Sequence, residues 1–335
     1  MTDRLRFPVW VLFLTLGFFW GSSYFWIKIG VGTIPPLTLV ALRLLLGFLV
    51  LAAVVAIARE PLPRSPKQYL HLFVMGCVNI VIPFVLITWG ESRPGMDSAL
   101  ASILNATVPL FVLIIAPLVL PDERITAARI VGLAVGFLGV IVLFAPSIVN
   151  LGDNDFAGEA ALIASSVSYA VGNIYARRNV RGLRPMIPAL FQVGFALLVA
   201  GTAALAVEQP IGRIAPAPEA ILAVVWLGTL GSGLAYLCYF RILREWGATR
   251  TALVAYVLPV VGIVFGTFRG EAVTLERLAG TALITGGVAL VNSAGRLPFL
   301  RRSSAAPGAA PLAAPRPQPR LTLPETPRPI GQPRD

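Results

Sequence analysis

Residues 8–29 read PVWVLFLTLGFFWGSSYFWIKI, with Lys28 in the last turn as the only charge. At ~1.5 Å per residue, a helix of this length crosses the ~30 Å hydrocarbon layer of a bilayer. Nine comparable apolar blocks follow, at about 37–58, 69–90, 97–119, 125–145, 157–177, 186–207, 219–242, 249–268 and 275–295. Pro35-Pro36, Pro61, Pro63, Pro94-Gly95, Pro121, Gly182, Pro185, Pro216 and Pro218 punctuate the gaps between them. Arg4 and Arg6 ahead of the first block suggest a secretion signal. The block has no small-x-small exit, however, and nine more follow, so it reads as helix one. The expected fold is an all-α polytopic membrane protein with ten transmembrane helices.

Composition agrees. Of 335 residues, 56% are hydrophobic and 13% charged, with a mean hydropathy of +0.80. Water-soluble domains carry ~25% charged residues, and no soluble fold hides this much apolar surface. The net charge of +11 lies in small groups between apolar blocks, with no basic stripe or interleaved aromatics, so nucleic acid is not an expected partner. Cys77 and Cys238 sit inside apolar blocks, and His71 is the sole histidine. These give no ligand set for structural zinc or haem, and no cofactor or resident metal is expected; a magnesium or sodium site stays open on these counts.

Orientation follows from the cations. With the N-terminus in the cytoplasm, the inner segments hold Arg4, Arg6, Arg59, Arg64, Lys67, Arg124, Arg129, Arg177, Arg178, Arg181, Arg184, Arg241, Arg244, Arg250, Arg296, Arg301 and Arg302. The outer segments hold Lys28, Arg93, Arg213, Arg269 and Arg277. This bias places both termini in the cytoplasm. Arg outnumbers Lys everywhere, which suggests a GC-rich bacterial genome and hence the inner (plasma) membrane.

The chain repeats itself at a period of about 150 residues. Glu123, Gly132 and Gly139 recur as Glu271, Gly280 and Gly287 at one constant offset, and Pro109 recurs as Pro259. Trp20 and Lys28 are matched by Tyr169 and Arg177. Five spans per half is an odd number, so the halves enter the membrane with opposite polarity. Inverted repeats of this kind form a transporter architecture, with the substrate near the midplane between the halves. The expected organisation is a cytoplasmic N-terminus (1–7), a first five-helix repeat (8–147), a second (148–296) and a disordered Pro/Ala/Arg-rich cytoplasmic tail (297–335).

The ten spans, the early Trp20-Gly21 followed by Lys28, the Ala-rich approaches to Pro109 and Pro259, and the Glu-then-Gly pattern of helices five and ten resemble the EamA-type branch of the drug/metabolite transporter superfamily. The resemblance covers roughly 8–295. It implies secondary transport, in most members export of amino acids and other small metabolites and in some uptake. It also implies a central cavity lined by helices one, three, four, six, eight and nine, with helices two and seven rocking as gates.

Polar groups inside hydrocarbon face a cavity or a partner helix. Helix one carries Trp20, Ser23, Tyr24 and Lys28 on one face, and helix six repeats the theme with Ser165, Tyr169, Asn173 and Arg177. For the aromatics the competing reading is an interfacial belt, and for Lys28 and Arg177 it is snorkelling. Asn79 precedes Pro83 in helix three, and Asn105 leads to Pro109 in helix four. Ser232 and Tyr236 lie on helix eight, and Tyr256 stands before Pro259 in helix nine. Pro83, Pro109 and Pro259 are expected kinks that free a carbonyl toward the cavity. Small hydroxyls serve equally as interhelical glue worth ~0.6 kcal/mol each.

Arg43 lies six residues into helix two, where a charge costs ~2.5–3.5 kcal/mol at a helix centre. It partners a substrate carboxylate, latches a gate, or snorkels to the outer headgroups. Gln192 of helix seven lies within a few residues of the matched place in the second half, so the symmetry there is approximate. Glu91, Glu159 and Glu271 fall at span edges, so a midplane carboxylate relay for protons is not expected. The glycines of helices five and ten are expected to pack within each half, with a homodimer surface as the alternative.

The leading function is therefore a secondary transporter of a small polar metabolite, working outward by alternating access. Uptake or facilitated flow is the second reading, and a membrane enzyme acting on lipid the third. That last would need a His/Asp/Glu cluster, and the sole His71 and scattered acids supply none. A channel would show a repeated polar filter, and an ATP-driven pump a G-x-x-x-x-G-K-[ST] loop; neither is present.

Overall fold

A computed structural model describes residues 8–120, 127–149, 156–180, 183–184, 186–212, 214 and 216–293. The segment 1–7 and the tail from 297 lie outside the described residues. Among those described, every regular element is helical. In chain order these are α1 (Val9–Gly30), α2 (Pro36–Ala58), α3 (Pro66–Gly76), α4 (Ile82–Glu91), α5 (Ser98–Asn105), α6 (Val108–Val119) and α7 (Ala127–Val149). The second half supplies α8 (Phe156–Asn179), α9 (Met186–Ala203), α10 (Pro218–Val225), α11 (Ala235–Ala252), α12 (Val257–Thr267) and α13 (Leu275–Ser293).

Several of these run on into one another. A π-helical segment, Cys77–Val81, joins α3 to α4, a second, Trp226–Leu234, joins α10 to α11, and a third, Ala204–Glu208, extends α9. Six of the resulting helices are long and apolar enough to cross a membrane: Val9–Gly30, Pro36–Ala58, Pro66–Glu91, Ser98–Val119, Met186–Glu208 and Pro218–Ile242. Shorter apolar stretches cover Ile130–Leu143 and Val254–Thr267. Large apolar side chains such as Leu49, Ile57, Leu118, Ile141 and Leu198 point outward, as they do where the solvent is lipid.

Local chemistry sets the ends. Pro36, Pro66 and Pro218 open α2, α3 and α10, where the missing N–H has no intrahelical role. The first amides of α2 are met by the other half of the chain: Glu208 accepts from the Leu37 and Thr38 N–H groups at 2.9 and 2.7 Å, and from the Thr38 hydroxyl at 2.6 Å. At the opposite ends of the same two helices, Arg184 donates to Glu60 at 2.9 and 3.1 Å.

Packing follows the internal repeat. Helix α1 lies on α10, α11 and α12, and its counterpart α8 lies on α4, α5 and α6. Helix α2 packs on the π segment Trp226–Leu234, and α9 on Cys77–Val81. The pairs α2–α9 and α7–α13 bring like helices of the two halves together, and α5 packs on α12. Exchanging the halves maps α1–α12 onto α8–α6 and α1–α11 onto α8–α4. The two π segments that join helices obey the same exchange, beginning at corresponding positions, Cys77 and Trp226.

Two expectations are corrected. The apolar block 249–268 is not one helix: α11 continues to Ala252, a 3-10 turn spans Leu253–Tyr256, and α12 begins at Val257. Gly139, Gly280 and Gly287 of α7 and α13 pack between the halves, while Gly136 also packs on Leu110 of α6 within the first half. A Cβ on Gly139 would lie 2.8 Å from the Gly280 carbonyl oxygen, and one on Gly280 would lie 3.1 Å from that of Gly139. The prolines start new helical segments. Pro83 is the second residue of α4, Pro109 the second of α6 and Pro259 the third of α12.

Candidate functional site

Helix α1 presents Trp20, Ser23 and Tyr24 along one stripe, with Ser23 and Tyr24 buried and Trp20 half-buried. The Tyr24 side chain meets the Asn105 amide of α5, and Asn105 Nδ2 has no hydrogen-bond partner. The Trp20 ring packs edge-on against Tyr236, centroids 6.1 Å apart, and lies 5.5 Å from Tyr239. Ser23 donates to the Phe19 carbonyl at 2.7 Å. Its oxygen faces Gly231, 3.0 Å from where a Cβ would stand.

Arg43 of α2 is only 3% exposed. Its Nε donates to Ser232 Oγ at 3.3 Å, and its guanidinium carbon sits 4.0 Å from the centroid of the Phe84 ring. Among the described residues, no carboxylate lies within ion-pair distance of it. The ionisable groups around it are the neutral phenols of Tyr24, Tyr169 and Tyr236, from α1, α8 and α11, together with Glu91. The headgroup-snorkelling reading therefore gives way to an inward-facing cation. Its guanidinium lies beside Gly231 of the π segment, where a Cβ would stand 3.6 Å from the Arg43 Nη2, and its carbonyl oxygen lies 3.0 Å from a Cβ position on Gly228.

Trp20, Ser23, Tyr24, Arg43, Asn105, Tyr169, Ser232 and Tyr236 thus converge on one interior region. Other expected residues stand apart. Asn79 is buried in the π segment Cys77–Val81 with Oδ1 unpartnered and faces Gly172 of α8. The widened turn there is tied to α8 by Ser168, which donates to the Val78 carbonyl at 2.6 Å. Gln192 of α9 is 1% exposed, and neither amide atom has a hydrogen-bond partner. Asn173 is exposed on α8, and Tyr256 is half-buried in the 3-10 turn.

The end of the bundle near the α4–α5 loop gathers charge. Lys28 donates to the carbonyls of Glu91 and Met96 at 2.7 and 2.5 Å. Glu271 accepts from the Ser98 N–H, the Ser98 hydroxyl and the Ala99 N–H at 3.1, 2.5 and 2.9 Å, which caps α5. Asp97 also caps α5, accepting from the Leu100 N–H at 2.9 Å, and pairs with Arg277. Burial pushes the Asp97 carboxyl above its ordinary range, against the Leu100 amide and Arg277, which favour its charged form. Glu91 is fully buried, a placement its position at a span edge did not suggest.

Sequence reading missed Phe84, Glu91 and Glu208. Phe84 carries no signal among apolar neighbours. A lone acid closing an apolar run, as in Ala204-Leu205-Ala206-Val207-Glu208, was a signal available for Glu208. Among the described residues no group of three or more His, Cys, Asp and Glu side chains is placed to hold a metal ion. His71 Nδ1 lies 2.7 Å from the Tyr175 hydroxyl.

Comparison with known proteins places this arrangement. Residues 8–145 and 156–293 each match the EamA-like transporter family. An Escherichia coli K12 protein, the uncharacterized inner membrane transporter YedA, is 29% identical over 287 residues, covering 84% of this chain and 89% of its own. A Salmonella typhimurium LT2 protein named as a probable amino-acid metabolite efflux pump is 27% identical over 284 residues, covering 80% and 89% respectively. A crystal structure superposes with TM-score 0.61 at 24% identity, covering 86% of this chain and 99% of its own, a likeness of fold.

Proposed function

The chain belongs to the EamA-like transporter family, and on that premise we propose that it is a secondary transporter of small polar metabolites bearing a carboxylate, amino acids or related compounds, moved outward by alternating access. The observation that carries this reading is Arg43: a buried guanidinium with no carboxylate partner among the described residues, ringed by Tyr24, Tyr169, Tyr236, Asn105 and Ser232. An unpaired buried cation is costly, and its planar fork of N–H donors matches a carboxylate. A substrate anion satisfies the charge, and the neighbouring hydroxyl and amide groups orient the rest of the molecule. Asn79, Asn173, Gln192 and Tyr256 belong to the same path in this reading.

Ten spans in two inverted five-helix repeats complete the proposal, with α7, α8, α12 and α13 adding four crossings to the six long apolar helices. Both termini are then cytoplasmic in an inner membrane, as the cation bias favours. Outward movement draws support from the Salmonella relative named as an efflux pump. The test is efflux from proteoliposomes loaded with a mixed pool of amino acids and small carboxylic acids, read by mass spectrometry beside empty vesicles. Selective loss of carboxylate-bearing compounds is expected. A folded preparation that moves none of them overturns the reading.

A further inference from the structure

Glu91 ends α4, and its side chain is fully buried with no hydrogen-bond partner on either carboxylate oxygen. Two neighbouring acids at this end, Asp97 and Glu271, are provided for. Asp97 has the Leu100 amide and Arg277, and Glu271 has two amides and a hydroxyl. Lys28, the nearest cation, directs its ammonium to the carbonyls of Glu91 and Met96, and forms no ion pair with the Glu91 carboxylate. A carboxylate taken from water without donors is among the costliest arrangements a protein holds. Uptake of one proton abolishes the charge and with it the cost.

The groups facing Glu91 come from every element around it. Tyr24 and Lys28 belong to α1 and Arg43 to α2. Asp97 precedes α5, and Glu271 precedes α13. The first turn of α8, which carries Glu159, packs on Gly90. Glu91 therefore stands between the charged end of the bundle and the Arg43 site, and its charge is felt at both.

We propose that Glu91 is a proton-binding site, loaded in the conformation seen here and emptied when this end of the bundle opens to water. The step makes or breaks one O–H bond, and the proton comes from and returns to water. With Glu91 protonated, the positive charge of Arg43 is unopposed and holds a substrate carboxylate. With Glu91 ionised, its charge weakens that hold. Proton and substrate anion are bound together and leave together, so outward transport runs down the substrate's own gradient and carries protons with it. This coupling rests on the transport reading above; the occupancy of the site does not.

Two measurements separate the claims. Infrared titration of the reconstituted protein, between about pH 5 and 9, where ordinary carboxyl groups are already ionised, is expected to show a protonated-carboxyl stretch that Glu91→Gln removes and Glu91→Asp retains. A band absent throughout, or unchanged in Glu91→Gln, overturns the site whether or not any substrate moves. In proteoliposomes holding the mixed amino-acid and carboxylic-acid pool and a trapped pH dye, efflux through the wild-type chain is expected to carry protons in the same direction. Glu91→Gln, with an unchanged elution profile, keeps exchange of labelled for unlabelled pool but loses the proton signal at least tenfold. Equal proton signals in the two proteins, or a signal that follows replacement of sodium by choline and not pH, overturn the coupling. If the wild-type protein moves no component of the pool while the Glu91 band titrates, the transport reading fails and the proton site stands.

Discussion

The Arg43 guanidinium has five N–H donors, and among the described residues Ser232 is the one group that receives a hydrogen bond from it. Its charge is held by the face of Phe84 and by nearby phenol groups. Replacing Arg43 by Met should therefore leave the detergent-solubilised protein at least as heat-stable as wild type, since removing buried charge for an apolar group of similar volume is often neutral or stabilising. The same change should weaken substrate binding by about 2–5 kcal/mol, roughly thirtyfold or more. Loss of thermal stability alongside loss of transport would make Arg43 a structural residue. The sequence singled out Arg43 because a charge inside a span is conspicuous. It did not reveal Phe84, because an apolar residue in an apolar helix has no contrast with its neighbours. Glu91 was misjudged for a related reason: its place at a span edge says nothing of the Pro94-Gly95-Met96 turn beyond it, which leads into a buried Met96.

At the scale of elements, Glu208 completes the first turn of α2 from the far half of the chain. Glu208→Ala removes that cap and should lower stability by about 0.5–2 kcal/mol, read as a lower melting temperature of the purified protein. An unchanged melting temperature would mean that other donor partners replace it. Helices α7 and α13 give a sharper pair. Gly139→Ala places a methyl group against the Gly280 backbone and should force the two helices apart, whereas Gly286→Ala meets nothing within 4 Å and should be neutral. Equal effects would place the close approach elsewhere. The spans themselves were legible from hydropathy, because ~20 apolar residues are a physical requirement of the bilayer. The break between α11 and α12 was not. Leu253-Val254-Ala255-Tyr256 is as apolar as the helices it separates, and a turn surrounded by protein and lipid needs none of the polar residues that mark turns in water. The π segments were invisible for the same reason, since a widened turn changes the hydrogen-bond ladder and not the composition.

For the whole molecule, the internal repeat was the most informative feature of the sequence, and the main contacts of α1, α2, α8 and α9 follow it. One departure from symmetry falls where function is proposed: Arg43 in one half has Gln192 near its corresponding position in the other, a cation against a neutral amide. The Pro/Ala/Arg-rich stretch 303–335 lies beyond the family match. Removing it should leave transport rates within about twofold of wild type, and an inactive truncation would give that stretch a part in the cycle. Nothing in its composition allows a packed core.

The pairing of like helices across the halves also dictates an order of manufacture. Helix α2 leaves the ribosome long before Glu208 exists to finish its first turn, and α7, complete at Val149, must wait for α13, which begins at Leu275. At about 5–20 residues per second, that interval is on the order of ten seconds, during which the glycine-lined face of α7 has no mate of its own. A newly made first half is thus an orphan in the bilayer, exposed to proteases and to rival helices until its twin is inserted. Quality control in the membrane has its opportunity in that interval.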